Sequence, residues 1–381
     1  MPIGYLVSVA IVAWCTVFAL APPRPRRSSP SNRSYWFGFL INEVPFLASY
    51  WLLASTLLAF AQGDIDSPVG WAAFGLAGLT MAGLAVIAWR GLRAGPAVDR
   101  ALRENRGAGM GNRPRRLPWG RILLAPWFVR RRDVERVANI RYGDADDHNL
   151  LDLYRHRSRP AGGPTLVYFH GGAFAIGKKS REARPLLYRL ASQGWVCISA
   201  NYRLGPAARF PNAHVDAKKV IAWVRRHGRE YGADPAVVFV AGSSAGGHLA
   251  ALAALTPNDP AFQPGFEDAD TSVTAAICLY GYYGGLDAGE PLPSSPEAHV
   301  RTDAPPFFVA HGDLDTVVIV DDARRFVERL RSTSSHPIVY AELPGAQHTF
   351  DLFHSIRFDT VVEAIAVFAA WVRSREEAPT A

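Results

Sequence analysis

The chain has 381 residues, 49% of them hydrophobic, and a formal net charge of +7, enough for a large core and for more than one domain. The charge is uneven: residues 1–132 hold sixteen arginines, no lysine and five acids, a net +11, which leaves −4 for the remainder. The arginines flank apolar runs and form no nucleic-acid motif, which excludes nucleic acid and points to anionic lipid, and cysteines at 15, 197 and 278 have neither metal-like spacing nor a disulfide framework.

Ile3–Ala21, Val44–Ala61 and Gly70–Trp89 are each uncharged and about long enough to cross a bilayer, so three transmembrane helices are predicted within residues 1–90. A cleaved signal peptide is the alternative for the first, since Ala19-Leu20-Ala21 resembles a cleavage site, although a basic n-region is lacking. Arginines at 24, 26, 27 and 33 follow the first span and those at 90, 93, 100, 103 and 106 follow the third, whereas Asp64 and Asp66 follow the second. This bias predicts a multi-pass protein of the cell membrane with the N-terminus outside and the domain that follows the spans in the cytoplasm. Glu43, beside Asn42 and Pro45, falls at the cytoplasmic mouth of the second span, where an interfacial residue and a buried functional carboxylate are both open readings. Gly78 and Ala82 form a small-xxx-small pair of the kind that packs helices together.

Residues 91–132 read as a basic juxtamembrane connector containing the apolar patch Leu117–Val129. Trp119 and Trp127, flanked by Arg113, Arg115, Arg116 and Arg130–Arg132, suit either an interfacial segment against anionic headgroups or a lid over an active site. From residue 133 to 375, with a short tail at 376–381, β-rich runs alternate with helical patterns, the signature of an α/β domain built on a mostly parallel, eight-stranded sheet.

Four motifs in that domain carry chemistry. His170-Gly171-Gly172-Ala173-Phe174 follows an apolar strand, and consecutive glycines there turn backbone N–H groups toward a developing oxyanion. Gly171 and Gly172 are the expected donors, with His170 bracing the loop rather than acting as a base. Gly242-Ser243-Ser244-Ala245-Gly246-Gly247 sits between a strand and an Ala/Leu-rich helix, where a serine raised on a tight turn needs small neighbours. Ser244 is the expected nucleophile and the Ala245 N–H a further oxyanion donor. His311-Gly312-Asp313-Leu314-Asp315 ends a strand, with Asp315 favoured as the orienting acid because the spacer lets the chain turn back, and Asp313 as the alternative. His348, on a short loop after Ile338–Leu343, completes Ser, Asp and His in that chain order and is the expected general base.

With these motifs, and with Asn201-Tyr-Arg-Leu204, Phe210-Pro211, Tyr231-Gly-Ala-Asp-Pro235 and Ala304-Pro-Pro-Phe-Phe308, the region 137–374 resembles the hormone-sensitive-lipase-like branch of α/β-hydrolase esterases, including actinobacterial membrane-anchored carboxylesterases. The resemblance implies the α/β-hydrolase fold and hydrolysis of carboxylic esters, possible lipid substrates included, without metal or organic cofactor. Amide cleavage and acyl transfer use the same triad, and a non-catalytic ligand-binding role is a more distant alternative. Two departures stand out. Many relatives carry Asp where this chain has Ser243, so a bracing hydrogen bond must come from elsewhere. The stretch 281–302 is short beside the helical insertion that often covers the pocket, which leaves more of the cap to the N-terminal connector.

Overall fold

The computed structural model describes residues 3–29, 32, 34–105, 116–286 and 292–376, so Arg33, Arg106, Arg113, Arg115 and the tail at 377–381 lie outside the described residues. The N-terminal region consists of α1 (Ile3–Leu20), α2 (Ser34–Glu43), α3 (Pro45–Ala61) and α4 (Pro68–Leu92). Two helices, α1 and α4 with its continuation, are long and apolar enough to cross a membrane, and a third span arises only if the pair α2 and α3, bent by 88°, counts as one. The number of spans is therefore two or up to three by length and composition. The bend follows from Pro45, which has no N–H to donate back into α2 and forces Val44 out of helical geometry, at φ −123° and ψ 52°.

Apolar side chains point outward from these helices, among them Ile11, Leu57 and Leu79, the last 74% exposed. Inside the bundle, α1 and α4 meet at Gly83, where an added Cβ would lie 2.8 Å from Thr16 and 3.1 Å from Leu20. The Gly78 and Ala82 pair is not a packing face: Ala82 is exposed and a Cβ at Gly78 meets nothing within 4 Å.

Two stretches within residues 91–132 are helical. Helix α5 (Ala94–Glu104) buries Ala94, Val98, Ala101 and Leu102 in the core of the following domain, while α6 (Trp119–Leu124) lies against α3. The domain itself carries β1 (Val134–Arg141), β2 (Leu150–His156), β3 (Gly163–Phe169), α7 (Arg184–Ser192), β4 (Val196–Ala200), α8 (Asn212–His227), β5 (Ala233–Ser243), α9 (Ala245–Leu255), β6 (Ala275–Leu279), β7 (Phe307–Gly312), α10 (Val320–Thr333), β8 (Ile338–Leu343) and α11 (Ile356–Glu376). The eight strands form one sheet in the order β1-β2-β4-β3-β5-β6-β7-β8, with β1, β2 and β4 paired antiparallel and every later pairing parallel.

Alternation along the strands feeds two cores. Leu166, Tyr168, Phe239, Ala241, Ile277 and Leu279 face α5, α7 and α11, whereas Val167, Phe169, Val238, Val240, Ala276 and Cys278 face α8, α9 and α10. Because the central strands run parallel, their carboxyl ends lie along one edge, and the motif loops after β3, β5, β7 and β8 gather there.

The N-terminal helices are fastened to that edge. At the α2–α3 junction Glu43 is buried, ion-paired to Arg357 at 3.2 Å and accepting from Ser355 at 2.7 Å, while Arg357 also donates to the Asn42 carbonyl at 2.6 Å and Asn42 to the Gly345 carbonyl at 2.9 Å. Of the two readings of Glu43, the geometry favours the buried one, with a structural task. Replacing Glu43 with Ala strands the Arg357 charge in the interior, a loss of about 3–5 kcal/mol. The expected outcome is a large drop in the thermal unfolding midpoint of the detergent-purified protein, with a double replacement Glu43→Gln, Arg357→Met recovering much of it.

Candidate active site

Ser244 begins the turn from β5 into α9 with φ 54° and ψ −117°, a strained backbone that raises its side chain above the sheet edge. The turn is possible because its neighbours lack side chains. A Cβ on Gly242 would lie 2.0 Å from the Gly246 carbonyl oxygen, and one on Gly246 would lie 1.9 Å from that of Phe169 at the end of β3.

Against this serine the fold brings the other two expected residues. His348 Nε2 is 3.0 Å from Ser244 Oγ, and His348 Nδ1 is 2.6 Å from Asp315 Oδ2. All three are nearly buried. Asp315 Oδ1 accepts from the amides of Val317 and Val318 at 2.8 and 2.9 Å, and His311 lies 3.4 Å from Oδ2. Burial alone would favour the protonated acid, but His348 and His311 outweigh it and hold the Asp315 carboxyl well below the usual range. Asp313, the alternative acid, turns the other way and accepts from the Gly345 amide at 2.6 Å, so it shapes the histidine loop rather than touching the histidine. Gln347 joins the two loops, its side-chain oxygen accepting from Thr316 N at 2.7 Å and from His348 N at 2.9 Å. A glutamine beside a histidine carries no motif, and nothing in the sequence marks it.

The glycine loop departs from expectation at one residue. The Gly171 amide donates to the Glu182 carboxylate at 2.5 Å and so is not free for an oxyanion. The reason is local: Glu182 is only 4% exposed and must find donors. The next amides, of Gly172 and Ala173, meet no acceptor among the described residues, and both residues have positive φ, 118° and 53°. Ala245 opens α9, where helix N–H groups are unpaired by geometry. His170 lies within the loop, with Nδ1 2.7 Å from the Gly171 carbonyl oxygen and the ring stacked on Tyr202 at 4.5 Å. Burial pushes its pKa down to about 4, which keeps the ring neutral at neutral pH.

The missing acid beside the nucleophile is supplied from another loop. Asp351, fully buried, accepts from Ser243 Oγ at 2.6 Å, from Tyr168 at 3.1 Å and, on its other oxygen, from Tyr280. Tyr280 in turn sets its ring edge-on to His348 at 4.6 Å. Three residues that no motif marks, Tyr168, Tyr280 and Asp351, thus join Ser243 in tying the serine turn to the histidine loop.

A third neighbour of the triad comes from α2. Tyr35 stands edge-on to the His348 ring at 6.1 Å and its hydroxyl bonds to Thr349. Just before it, Ile319 N donates to Ser28 Oγ at 2.9 Å, Ser29 N donates to the Val317 carbonyl at 2.8 Å and Asn32 to that of Thr316 at 2.7 Å, along the loop that carries Asp315. Cover over the histidine therefore comes from α2. The patch 117–129 instead leaves Leu124, Trp127 and Phe128 mostly exposed, so of its two readings, interfacial segment and lid, the lid is not seen in this arrangement.

With this geometry in hand, comparison with known proteins is informative. Residues 151–284 match the family model described as BD-FAE. The chain is 37% identical to the probable carboxylic ester hydrolase LipM of Mycobacterium tuberculosis, over 99% of this chain and 95% of that protein. It belongs to the hormone-sensitive-lipase-like family of α/β-hydrolase esterases. The LipM similarity takes in the apolar helices as well as the sheet. Esterase LipQ of the same organism is 40% identical over 64% of each chain. Among solved structures, Thermogutta terrifontis esterase 2 phosphorylated by paraoxon superposes with a TM-score of 0.55 at 26% identity, covering 63% of this chain and 95% of that one.

The buried carboxyls give the site a pH signature. Burial, reinforced by the neighbouring Asp351, pushes Glu182 up to about 8 from an ordinary 4.5. A carboxyl raised on folding contributes stability that is fully present below its unfolded value and is lost as pH rises through the folded one. Thermal stability of the wild-type protein should therefore decline between about pH 5 and pH 8, and Glu182→Gln, which keeps an acceptor for Gly171, should flatten that decline. An unchanged slope in melting curves taken across this range would count against the assignment.

Proposed function

We propose that the protein is a membrane-held serine carboxylesterase or lipase in which Ser244 attacks the ester carbonyl. The observation that carries this reading is the continuous hydrogen-bonded chain from Asp315 through His348 to Ser244, at 2.6 and 3.0 Å. His348 takes the serine proton through Nε2 as the new C–O bond forms, and Asp315 fixes the tautomer and stabilises the charged ring. The oxyanion is received by the amides of Gly172, Ala173 and Ala245, whereas Gly171 acts indirectly by anchoring the loop to Glu182. Collapse of the tetrahedral intermediate expels the alcohol, which takes its proton from His348. Water, deprotonated by the same imidazole, then cleaves the acyl-serine.

The location of the site supports the membrane-held part. The α2–α3 junction and the end of α4 meet the catalytic domain, with Asn42 donating to the Gly345 carbonyl and Arg90 and Gly91 lying against Gly345 and Ile356, and Arg90 ties the end of α1 to the same place by donating to the Leu20 carbonyl at 2.7 Å. The arginines at 24, 26 and 27 and those after α4 are thus on the side of the catalytic domain, and Asp64 and Asp66 follow the opposite end of α3. By the positive-inside rule this supports a catalytic domain on the cytoplasmic side, at the bilayer surface, with ester substrates that include lipids as the proposed class.

Replacing Ser244 with Ala should abolish labelling by a fluorophosphonate probe in the membrane fraction while leaving the protein folded. Persistent labelling would refute the nucleophile, and recovery of the full-length chain in the soluble fraction would refute the anchoring. Loss of one oxyanion donor costs about 10²- to 10³-fold in rate. Gly172→Ala, whose Cβ would lie 1.8 Å from the Ile176 carbonyl oxygen, should show at least that loss in kcat for a model ester, against little change for a surface control.

A further inference from the structure

One cavity beside the site is not used by the chemistry above. It has a volume of 650 Å³ and lies between α2, the segment around Trp127, and the loop leading into α7. Phe39, Trp127 and Phe353 give it an apolar wall, and Lys178, Arg181 and Arg184 stand around it. Among the described residues none of these three cations makes an ion pair. The carboxylate that acts on Arg181, Glu182, is buried and directed to the Gly171 amide. Three cations held together repel one another, and an anion among them relieves that repulsion.

The apolar wall selects what kind of anion. A small, fully hydrated ion gains nothing from aromatic faces, whereas a phosphate carried on an apolar body satisfies both halves of the cavity, whose volume lies in the range of small-molecule sites. The surface leading to it is itself apolar: Trp127 is 60% exposed, with Phe128 and Leu124 alongside. Exposed aromatics flanked by arginines, here Arg130–Arg132, are the composition of a segment at headgroup level. We propose that this cavity binds the headgroup of an anionic phospholipid, with the phosphate among Lys178, Arg181 and Arg184 and the glycerol and upper acyl carbons against Trp127 and Phe39. The inference rests on the membrane-held reading proposed above and not on the ester chemistry. It also places the lipid one helix away from the triad, since Phe39 stacks on Tyr35 at 4.9 Å and Tyr35 faces His348.

The test uses the full-length protein in detergent, titrated with phosphatidylglycerol or phosphatidylcholine carrying brominated acyl chains, with tryptophan fluorescence as the readout. Subtracting the signal of Trp127→Phe isolates the relevant residue. Phosphatidylglycerol should quench that component at several-fold lower concentration than phosphatidylcholine. Arg184→Gln and the exposed-rim variant Lys178→Gln should each weaken it by roughly five-fold, the worth of one cation near an anionic surface. Millimolar inorganic phosphate should compete poorly. Equal quenching by the two lipids, insensitivity to both charge variants, or full displacement by inorganic phosphate would each overturn the assignment. Unchanged unfolding midpoints confirm that the variants are folded. Failure of the anchoring reading is seen separately, in the distribution between membrane and soluble fractions.

Discussion

Beneath Ser244 the backbone of the nucleophile turn passes so close to β3 that no side chain fits between them. Gly246 lies against the carbonyls of Phe169 and His170, the two residues that lead into the glycine loop. This one contact fixes the height of the serine and the position of the oxyanion amides relative to it, before any side-chain interaction is considered. It also explains the positive φ at Ser244, since the chain must reverse abruptly to enter α9 without striking β3. The strain is held by packing on every side: α9 is buried along its whole length and β5 is the centre of the parallel sheet.

The other loops are held by partners that lie far away in sequence. Ser28, Ser29 and Asn32 bond along the aspartate loop, Tyr35 touches the histidine loop, and Asn42 and Glu43 bind Gly345 and Arg357 on either side of it. Each of these contacts spans roughly three hundred residues of chain, so the N-terminal helices are part of the architecture of the proposed site rather than a tether for it. Helix α5 adds a second attachment through the core beside β8. A chain cut near Val134 would expose that core face and release both loops, which makes it a poor surrogate for the whole protein.

Much of this was readable from residues alone where the physics is local. The eight strands follow from short β-rich runs, the elbow from glycines around a serine, and the triad from its order in the chain. What could not be read is of three kinds. Helix α2 is an apolar run of only ten residues, too short to read as a span of its own, and its role appears only when it folds back across the sheet edge. Helix α5 hides its i, i+4, i+7, i+8 stripe of Ala94, Val98, Ala101 and Leu102 under arginines and the Gly95-Pro96 pair, so composition argued for a connector. Gly171 and Gly172 are indistinguishable in sequence, and only the buried Glu182, eleven residues on, decides which amide is spent on the scaffold. Long-range polar pairing leaves no periodic trace.

Asp351 shows how the same fold tolerates a change at the position before the nucleophile. A carboxylate at 243 would sit beside the serine and be braced by Tyr168. Here Ser243 has taken the hydroxyl's part and the charge is delivered from the histidine loop, so the same polar centre is built with its acid on the opposite side. The consequence is mechanical. With the carboxylate attached to the loop that carries His348, the three hydroxyls from β3, β5 and the end of β6 hold that loop directly, and the distance between imidazole and serine is set by the same buried group that anchors the turn. Because Glu182 lies close enough for its ionisation to be opposed by Asp351, the oxyanion loop shares this centre as well. The proposed nucleophile, base and oxyanion donors are therefore held as one unit, which suits a site whose cover is a helix already fixed to the domain rather than a separate flap.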